Sequence, residues 1–321
     1  GLISLPTLLK RGYSIPLATG TIASSGTLGV IIPPSILLVL LADTINSSNR
    51  GSAAVDVGLM FQAAIVPGVI LVAAYILYVI IISRLSPKMA PVMTEEEIAS
   101  FKDKDFGKKV FKAFVMPMLL IMLVLGSIFA GIASPTEAAA VGALGAIMLT
   151  WFSGALSPNV LREVMTQTTH LTSMVFLILL GATTFAFLFR ILGGDDLLVE
   201  FINNAQLSPY VFLLLVMLIL FIAGFFIDFI EIIFIMVPVI TPLFNQYDMN
   251  MLWIGVLIAL NLQTSFLTPP FGFSLFYLKG VAPPQVKTND IYRGIIPFVA
   301  IQILLIIAVI LFPQMLLGVE R

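Results

Sequence analysis

Long apolar stretches that are almost free of charge dominate this chain. A helical span needs about 20 apolar residues, and five stretches qualify: 57–83, 113–133, 136–153, 166–192 and 294–316. Backbone polar groups in lipid are satisfied only within helices or closed barrels, and these stretches are far longer than the roughly ten-residue segments of a barrel. The sequence therefore predicts an all-α polytopic membrane protein.

Composition excludes several classes of function. Only 10% of the residues are charged, against roughly 25% in a soluble domain. The net charge of −1 offers no basic surface for nucleic acid. The chain has no cysteine and a single histidine, His170, which excludes thiolate and polyhistidine metal sites and a cysteine nucleophile. We expect a protein that is not an enzyme and holds no organic cofactor.

The stretch 211–244 is too long for one span and too short for two. As a single helix it would be about 50 Å long, whereas the apolar core of a bilayer is about 30 Å thick. Asp228 and Glu231 lie at its middle, where a charged group costs about 2.5–3.5 kcal/mol even on the lenient insertion scale. The stretch is predicted to form a re-entrant hairpin with its tip at about 224–231.

Two further stretches are predicted to be broken helices. Residues 13–45 are interrupted at 24–35 (SSGTLGVIIPPS), and residues 250–280 are interrupted at 261–272 (NLQTSFLTPPFG). Each Pro-Pro pair removes two amide donors and clashes with the preceding turn, so an α-helix cannot continue through it. One such break alone is also compatible with a simple packing kink, because Pro and Gly are common in membrane helices.

The two breaks match each other in sequence. Aligning Pro33-Pro34 with Pro269-Pro270 places PPSILLVLLA over PPFGFSLFYL, and the similarity extends on both sides. When the chain is threaded through the membrane, the two broken helices run in opposite directions. Inverted repeats with paired broken helices are typical of secondary transporters, whose binding site lies at the repeat interface near the midplane.

This pattern predicts two repeats joined by a polar loop. Repeat 1 occupies 1–83, namely the end of a first hairpin, broken helix 13–45 and span 57–83. Residues 84–112 hold seven of the 16 Lys and Arg residues and are predicted to be cytoplasmic by the positive-inside rule. Repeat 2 occupies 113–321, namely spans in 113–192, hairpin 211–244, broken helix 250–280 and span 294–316.

The distribution of Lys and Arg residues tests the predicted orientation of the chain in the membrane. All Lys and Arg residues except Arg50, Arg190 and Arg321 then lie on the inner side, and the C-terminus is periplasmic. Arg190 either reaches the outer interface or meets an anionic substrate or a binding protein. The chain begins at Gly1 rather than Met, and comparison of the repeats leads us to expect about 110–130 preceding residues, including the tip of the first hairpin.

A helix start is predicted at SPTEAAAVGALGA. Ser134 is the expected N-cap, Pro135 the first helical residue and Glu137 the partner in a capping box. The small residues that follow permit close helix packing.

Four motifs together resemble a known family. GTLGVIIPPS (26–35), SPTEAAAVGA (134–143), GFFIDFIEIIFIMVP (224–238) and LTPPFG (267–272) resemble the large membrane subunit of tripartite ATP-independent periplasmic (TRAP) transporters. The resemblance covers essentially the whole chain in order. It implies a bacterial inner-membrane secondary importer of the elevator type, usually coupled to sodium and specific for organic acids (carboxylates). It also implies a small membrane subunit and a soluble periplasmic substrate-binding protein as partners.

The resemblance also implies an ion site. In the second break it points to Ser265, Thr268 and the carbonyl of Phe271, with Gly224 from the hairpin; many relatives have glycine where this chain has Ser265. The repeat offset transfers these positions to Gly29, Ile32 and Ser35 in the first break. The remaining candidates are polar or flexible positions of the two breaks and the hairpin, namely Gly26, Thr27, Pro33, Asp228, Asn261, Gln263, Thr264 and Pro269.

Two alternatives of other kinds stay open. The chain could be a two-hairpin sodium/carboxylate carrier that works alone, or a membrane scaffold without transport activity. A need for a binding protein separates the first from the TRAP prediction, and transport that survives mutation of both breaks would favour the second.

Overall fold

The computed structural model describes residues 4–48, 54–92, 107, 110–270 and 272–317. The regular secondary structure of these residues is helical, and they contain no strand. The α-helices are, in chain order, α1 (Ser4–Lys10), α2 (Ile15–Thr27), α3 (Ile36–Ser48), α4 (Val57–Leu85), α5 (Met116–Phe129), α6 (Pro135–Phe152), α7 (Pro158–Ile191), α8 (Gly194–Ala205), α9 (Pro209–Ala223), α10 (Phe229–Gln246), α11 (Met251–Phe266), α12 (Phe273–Val281), α13 (Thr288–Leu311) and α14 (Gln314–Leu317).

Within the described part of the chain, six helices are long and apolar enough to cross a membrane. They are α4, the segment Phe111–Phe129 (a π-helical turn followed by α5), α6, α7, α10 and α13. The prediction of an all-α polytopic membrane protein is confirmed. Helix α7 begins earlier than the predicted span 166–192, because the polar residues after Pro158 continue the same helix. Most of the predicted loop 84–112 lies outside the described residues.

The chain divides into two compact units, Gly1–Pro91 with Leu177–Arg321, and Val92–Phe176. The first unit is built around α11, in which every residue is buried. A helix that is apolar on all sides is stable only when other helices surround it. Here α3, α4, α9, α10 and α13 pack against it.

Two contacts tie the outer helices of the first unit together. Helix α2 runs along α13, and a Cβ placed on Gly20 would collide with the carbonyl oxygen of Gly294. Helix α13 also reaches α4, where the amide of Gln302 donates to the hydroxyl of Tyr75 at 2.8 Å. The first contact requires glycine because two helix backbones touch there.

The second unit contains α5 and α6, which pack against each other. Helix α6 begins with the predicted capping box: the backbone N–H of Ser134 donates to Glu137 at 2.8 Å, and the N–H of Glu137 donates to the Ser134 hydroxyl at 3.4 Å. Gly142 and Gly145 of α6 lie against side chains of α5. The predicted capping box and the close packing are confirmed.

Helices end at the Pro-Pro pairs but continue through isolated prolines. Helix α2 ends at Thr27, a 3₁₀ turn covers Leu28–Val30, and α3 begins at Ile36 after Pro33-Pro34. Helix α11 ends at Phe266, and α12 begins after Pro269-Pro270. Both Pro-Pro peptide bonds are cis. By contrast, α4, α10 and α13 contain Pro67, Pro238, Pro242 and Pro297 within the helix.

The stretch 211–244 forms two helices. Helices α9 and α10 are joined by residues 224–228 and pack against each other. Helix α9 has 15 residues, about 22 Å at 1.5 Å per residue, which is shorter than the apolar core of a bilayer. Helix α10 has 18 residues and is among the helices long enough to cross, so the expectation that both arms are too short to span holds for α9 and not for α10.

Candidate functional site

The link between α9 and α10 meets the second helix break. A Cβ on Gly224, at the end of α9, would lie 2.5 Å from the hydroxyl oxygen of Ser265 in α11. The same hydroxyl donates a 2.6 Å hydrogen bond to the carbonyl oxygen of Phe221. Ser265 is fully buried. The structure thus brings together Gly224 and Ser265, which the sequence analysis assigned to one site.

Oxygen atoms gather at the second break. Gly272 has φ of 28°, and a Cβ there would lie 2.9 Å from the carbonyl oxygens of both Phe266 and Thr268. The hydroxyl of Thr268 donates to the carbonyl of Thr264 at 2.7 Å. Pro269 is partly buried at this turn. Phe271, whose carbonyl the sequence analysis included, lies outside the described residues.

Most polar side chains of α11 donate hydrogen bonds to backbone carbonyls. Thr264 donates to Leu260 at 2.7 Å, and the amide of Asn261 donates to Met217 of α9 at 2.8 Å. Gln263 is the exception, since it is fully buried and neither side-chain atom has a partner among the described residues. Asn261 therefore joins the helix before the break to the first arm of the hairpin.

Hydrogen bonds between residues close in sequence stabilise the first break. The hydroxyl of Ser35 donates to the carbonyl of Val30 and accepts from the N–H of Leu38 at 3.3 Å, so it caps α3. Ile32 lies against α4, where a Cβ on Gly68 would be 3.1 Å from its side chain. Pro33 is buried, and the 3₁₀ turn Leu28–Val30 packs on α4 and α11.

Three further candidates of the first break are not brought together by the fold. Gly26 and Gly29 are exposed, with no described atom within 4 Å of an added Cβ. Thr27 is buried and donates to the carbonyl of Ser24 at 2.9 Å. These three residues are not gathered around a shared point as Gly224 and Ser265 are.

The two broken helices contact each other across the unit. Helix α2 packs against α12, and α3 packs against α11. The hydroxyl of Ser274 in α12 donates to the carbonyl of Ala23 in α2 at 3.2 Å. The two breaks therefore belong to one packed group of helices.

The two acids of the hairpin have different surroundings. Asp228 is the N-cap of α10, where its carboxylate accepts from the N–H of Phe229 at 2.8 Å. Glu231 lies in the first turn of α10, and one of its carboxylate oxygens is buried without a partner among the described residues. Asp228 thus has a structural role in starting α10.

A cavity of about 650 Å³ lies among α3, α7 and α10 of the first unit. Its polar lining consists of Asp43, Thr44, Ser47, Ser48, Thr183 and Arg190. Among these residues, only Arg190 was a candidate from the sequence. The polar residues at 43, 44, 47 and 48 share one face of α3. This pattern in the sequence could have indicated a polar surface on that helix.

Comparison with known proteins identifies the family. Residues 1–315 match the family described as "Tripartite ATP-independent periplasmic transporter, DctM component". The chain belongs to this family. The resemblance found in the sequence is thereby confirmed: the chain is a TRAP transporter large permease, a multi-pass membrane protein.

Curated TRAP relatives resemble the chain over nearly its whole length. The C4-dicarboxylate large permease DctM of Pseudomonas aeruginosa is 28% identical, over 100% of this chain and 71% of its own length. The sialic acid large permease SiaM of Vibrio cholerae is 27% identical, over 98% and 70%. The isethionate permease DctMQ of Oleidesulfovibrio alaskensis is 26% identical, over 94% and 45%. These relatives are named as transporter permeases rather than enzymes.

Proposed function

We propose that this permease imports organic acids by sodium-coupled secondary transport, together with a small membrane subunit and a soluble periplasmic substrate-binding protein. The relatives named for C4-dicarboxylate, sialic acid and isethionate share an anionic carboxylate or sulfonate group, which supports an organic anion as substrate. The location that follows is the bacterial inner membrane, with 84–112 cytoplasmic and the C-terminus periplasmic.

The contact between Gly224 and Ser265 carries the sodium proposal. It brings the hairpin link to a helix break where the carbonyls of Phe266 and Thr268 both face Gly272. Unwound carbonyls and half-helix C-termini coordinate sodium in secondary transporters. The hydroxyl of Thr268 has its hydrogen on a carbonyl, so its lone pairs remain for a cation.

A second sodium site is proposed at Gly29, Ile32 and Ser35 by the inverted repeat. Helix boundaries support that repeat. The shift that places Pro33 on Pro269 also places Lys10, the end of α1, on Gln246, the end of α10. It places Ile15, the start of α2, on Met251, the start of α11. Under this shift α2 corresponds to α11, and α3 corresponds to α12. The contact of α2 with α12 therefore has its counterpart in the contact of α3 with α11.

This grouping supports the proposal of an elevator mechanism. The hairpin and the two broken helices would move as one body, because Ser274 joins α12 to α2 and Asn261 joins α11 to α9. Sodium at the second break would order the hairpin link.

Uptake into liposomes tests the proposal. The permease is reconstituted with its small subunit and binding protein, and radiolabelled organic acids are offered under a sodium or a proton gradient. We expect uptake that requires both the sodium gradient and the binding protein. Uptake without the binding protein would favour the stand-alone carrier.

Matched variants locate the ion. Thr268→Ala and Ser35→Ala are expected to raise the sodium concentration for half-maximal uptake by about tenfold, the equivalent of one charge-assisted contact. Thr150→Ala is the control, because its hydroxyl makes the same bond to the carbonyl four residues earlier, at 2.8 Å, in the second unit. If uptake by both break variants matched that of the control, the breaks would not be sodium sites.

A further inference from the structure

A second cavity lies between the hairpin link and α12. It has a volume of about 290 Å³. Phe225 follows Gly224 in the link, and Phe273 follows Gly272 at the start of α12. The cavity therefore borders both elements to which the proposed function assigns the sodium ion. The described residues that line it are all phenylalanines, namely Phe225, Phe226, Phe273 and Phe276.

Ring contacts fix two walls of this cavity. Phe225 and Phe273 are both half-buried. The ring of Phe225 meets the ring of Phe221 in α9 edge-on, with centroids 4.9 Å apart. The ring of Phe273 meets the ring of Phe266, the last residue of α11, edge-on at 5.9 Å. These two walls are therefore formed in the folded protein before a ligand binds.

The other two rings present apolar surface at the cavity. Phe226 is 61% exposed and Phe276 is 72% exposed. Covering such surface with an apolar group is favourable by roughly 25 cal/mol per Å². Aromatic rings gain further from edge-to-face or offset contacts at centroid distances of about 4.5–7 Å. A ring of a ligand would extend the edge-on contacts that Phe221 and Phe225 already make.

The lining also disfavours polar groups. A phenylalanine side chain has no hydrogen-bond donor or acceptor, so a hydroxyl or carboxylate among these rings would leave water without gaining a partner. The volume of about 290 Å³ lies just below the range of roughly 300–1,000 Å³ that is usual for whole small-molecule sites. The cavity therefore suits a single ring, with the charged part of the ligand outside it.

We propose that this cavity receives the aromatic ring of the transported acid, and that the substrate is an aryl monocarboxylate. The carboxylate lies outside the cavity, toward the second break, where the proposed sodium ion supplies the positive charge. The four lining phenylalanines then determine specificity. The inference rests on the proposed function and names the substrate class of the same site.

Calorimetric titration of the permease in nanodiscs with saturating sodium tests the class of substrate. The probes are 3-phenylpropanoate, 3-cyclohexylpropanoate and glutarate, which carry an aromatic ring, a saturated ring and a second carboxylate. We expect 3-phenylpropanoate to bind at least about tenfold more tightly than glutarate, because the apolar cavity rejects a carboxylate. It should also bind about threefold more tightly than the saturated analogue, because only an aromatic ring gains the edge-on contacts.

Leucine substitutions locate the ring. Phe273→Leu and Phe276→Leu keep an apolar side chain but remove an aromatic partner. Each is expected to weaken binding of 3-phenylpropanoate about fivefold and that of 3-cyclohexylpropanoate less than about twofold. Phe185→Leu is the matched control, because Phe185 is also exposed and contacts another ring, that of Phe189 at 6.0 Å, but does not line the cavity. The midpoint of thermal unfolding shows that each variant is folded.

Two results would overturn the inference. One is equal affinity for 3-phenylpropanoate and 3-cyclohexylpropanoate, since a saturated ring or a lipid chain would then fill the cavity as well. The other is an equal effect of the Phe273, Phe276 and Phe185 variants.

Two further results separate the inference from the proposed function. Sodium-driven uptake of glutarate but not of 3-phenylpropanoate would overturn the inference and leave the proposed function standing. Binding of 3-phenylpropanoate that needs Phe273 but is unchanged when choline replaces sodium would support the cavity and count against sodium coupling.

Discussion

At the scale of single residues, the chemistry of the second break depends on which atoms accept the hydroxyl hydrogens. Ser265, Thr264 and Thr268 each donate to a backbone carbonyl at 2.6–2.7 Å. Buried donors without partners are costly. Thr264 and Thr268 use the carbonyl four residues earlier, whereas Ser265 uses that of Phe221 in α9. What such residues present to a ligand is therefore lone pairs, which suits a cation at the second break.

Gly224 permits the first residue-scale prediction. Gly224→Ala places a Cβ 2.5 Å from the hydroxyl and 2.9 Å from the Cβ of Ser265, and overpacking of this kind costs about 1–3 kcal/mol. We expect a lower midpoint of thermal unfolding in detergent. Ser265→Gly removes both contacting atoms, so the double variant should regain most of the loss.

The double variant also serves as the control. The two changes interact only if the residues touch in the folded protein. Additive losses of stability in Gly224→Ala and Ser265→Gly would contradict the contact on which the sodium proposal depends.

At the scale of helices, proline number distinguishes a break from a tolerated kink. An isolated proline removes one hydrogen bond, and the neighbouring helices of a bundle compensate, as in α4, α10 and α13. Two consecutive prolines remove adjacent donors, and α2 and α11 both end before them. This difference is local, so the position of each break could be read from the sequence.

The crossing of α2 and α13 yields a prediction about packing. Gly20→Ala puts a Cβ onto the carbonyl of Gly294, and neither helix backbone can give way. We expect a loss of at least about 3 kcal/mol in unfolding free energy, the upper range of overpacking effects, or failure to fold. Stability is measured by denaturant or thermal unfolding of the purified permease.

Gly26→Ala is the matched change in the same helix. No described atom lies within 4 Å of its added Cβ, and alanine is favoured over glycine in a helix by roughly 0.5–1 kcal/mol. Its stability should be unchanged or higher. A Gly20→Ala variant as stable as Gly26→Ala would show that the two helices do not cross at these glycines.

At the scale of the whole molecule, the proposed inverted repeat makes a prediction about sidedness. Lys10 and Gln246 are exposed and correspond under the repeat shift, yet inversion puts them on opposite sides of the membrane. The chain has no native cysteine, so Lys10→Cys and Gln246→Cys give no background. In spheroplasts we expect an impermeant maleimide to label Gln246→Cys and not Lys10→Cys.

Permeabilised spheroplasts provide the control for this labelling. Both variants should react there, which shows that each cysteine is accessible in the folded protein. Labelling of both cysteines in intact spheroplasts would mean that the two repeats run in the same direction.

Local signals account for what could be predicted. Apolar length, the Pro-Pro pairs, the capping box at Ser134 and the hairpin around Asp228 each depend on residues close in sequence. The joining of Gly224 to Ser265 was available only through the family resemblance, because the two lie on different helices. For Asp228 the structure adds an N-cap contact at the start of α10, and its part in a binding site stays a prediction.

The sequence by itself determined that this is an all-α membrane protein, because lipid leaves the backbone few conformations and apolar length is a local pattern. The TRAP family was indicated by the resemblance of four motifs and is shown by the family match. Only the tertiary structure decided which polar atoms keep a partner and which line a cavity. Asp43, Thr183 and Pro238 are far apart in the chain and come to one cavity through packing of α3, α7 and α10. Such convergence depends on side-chain shape across separate helices, which periodicity along one helix does not record.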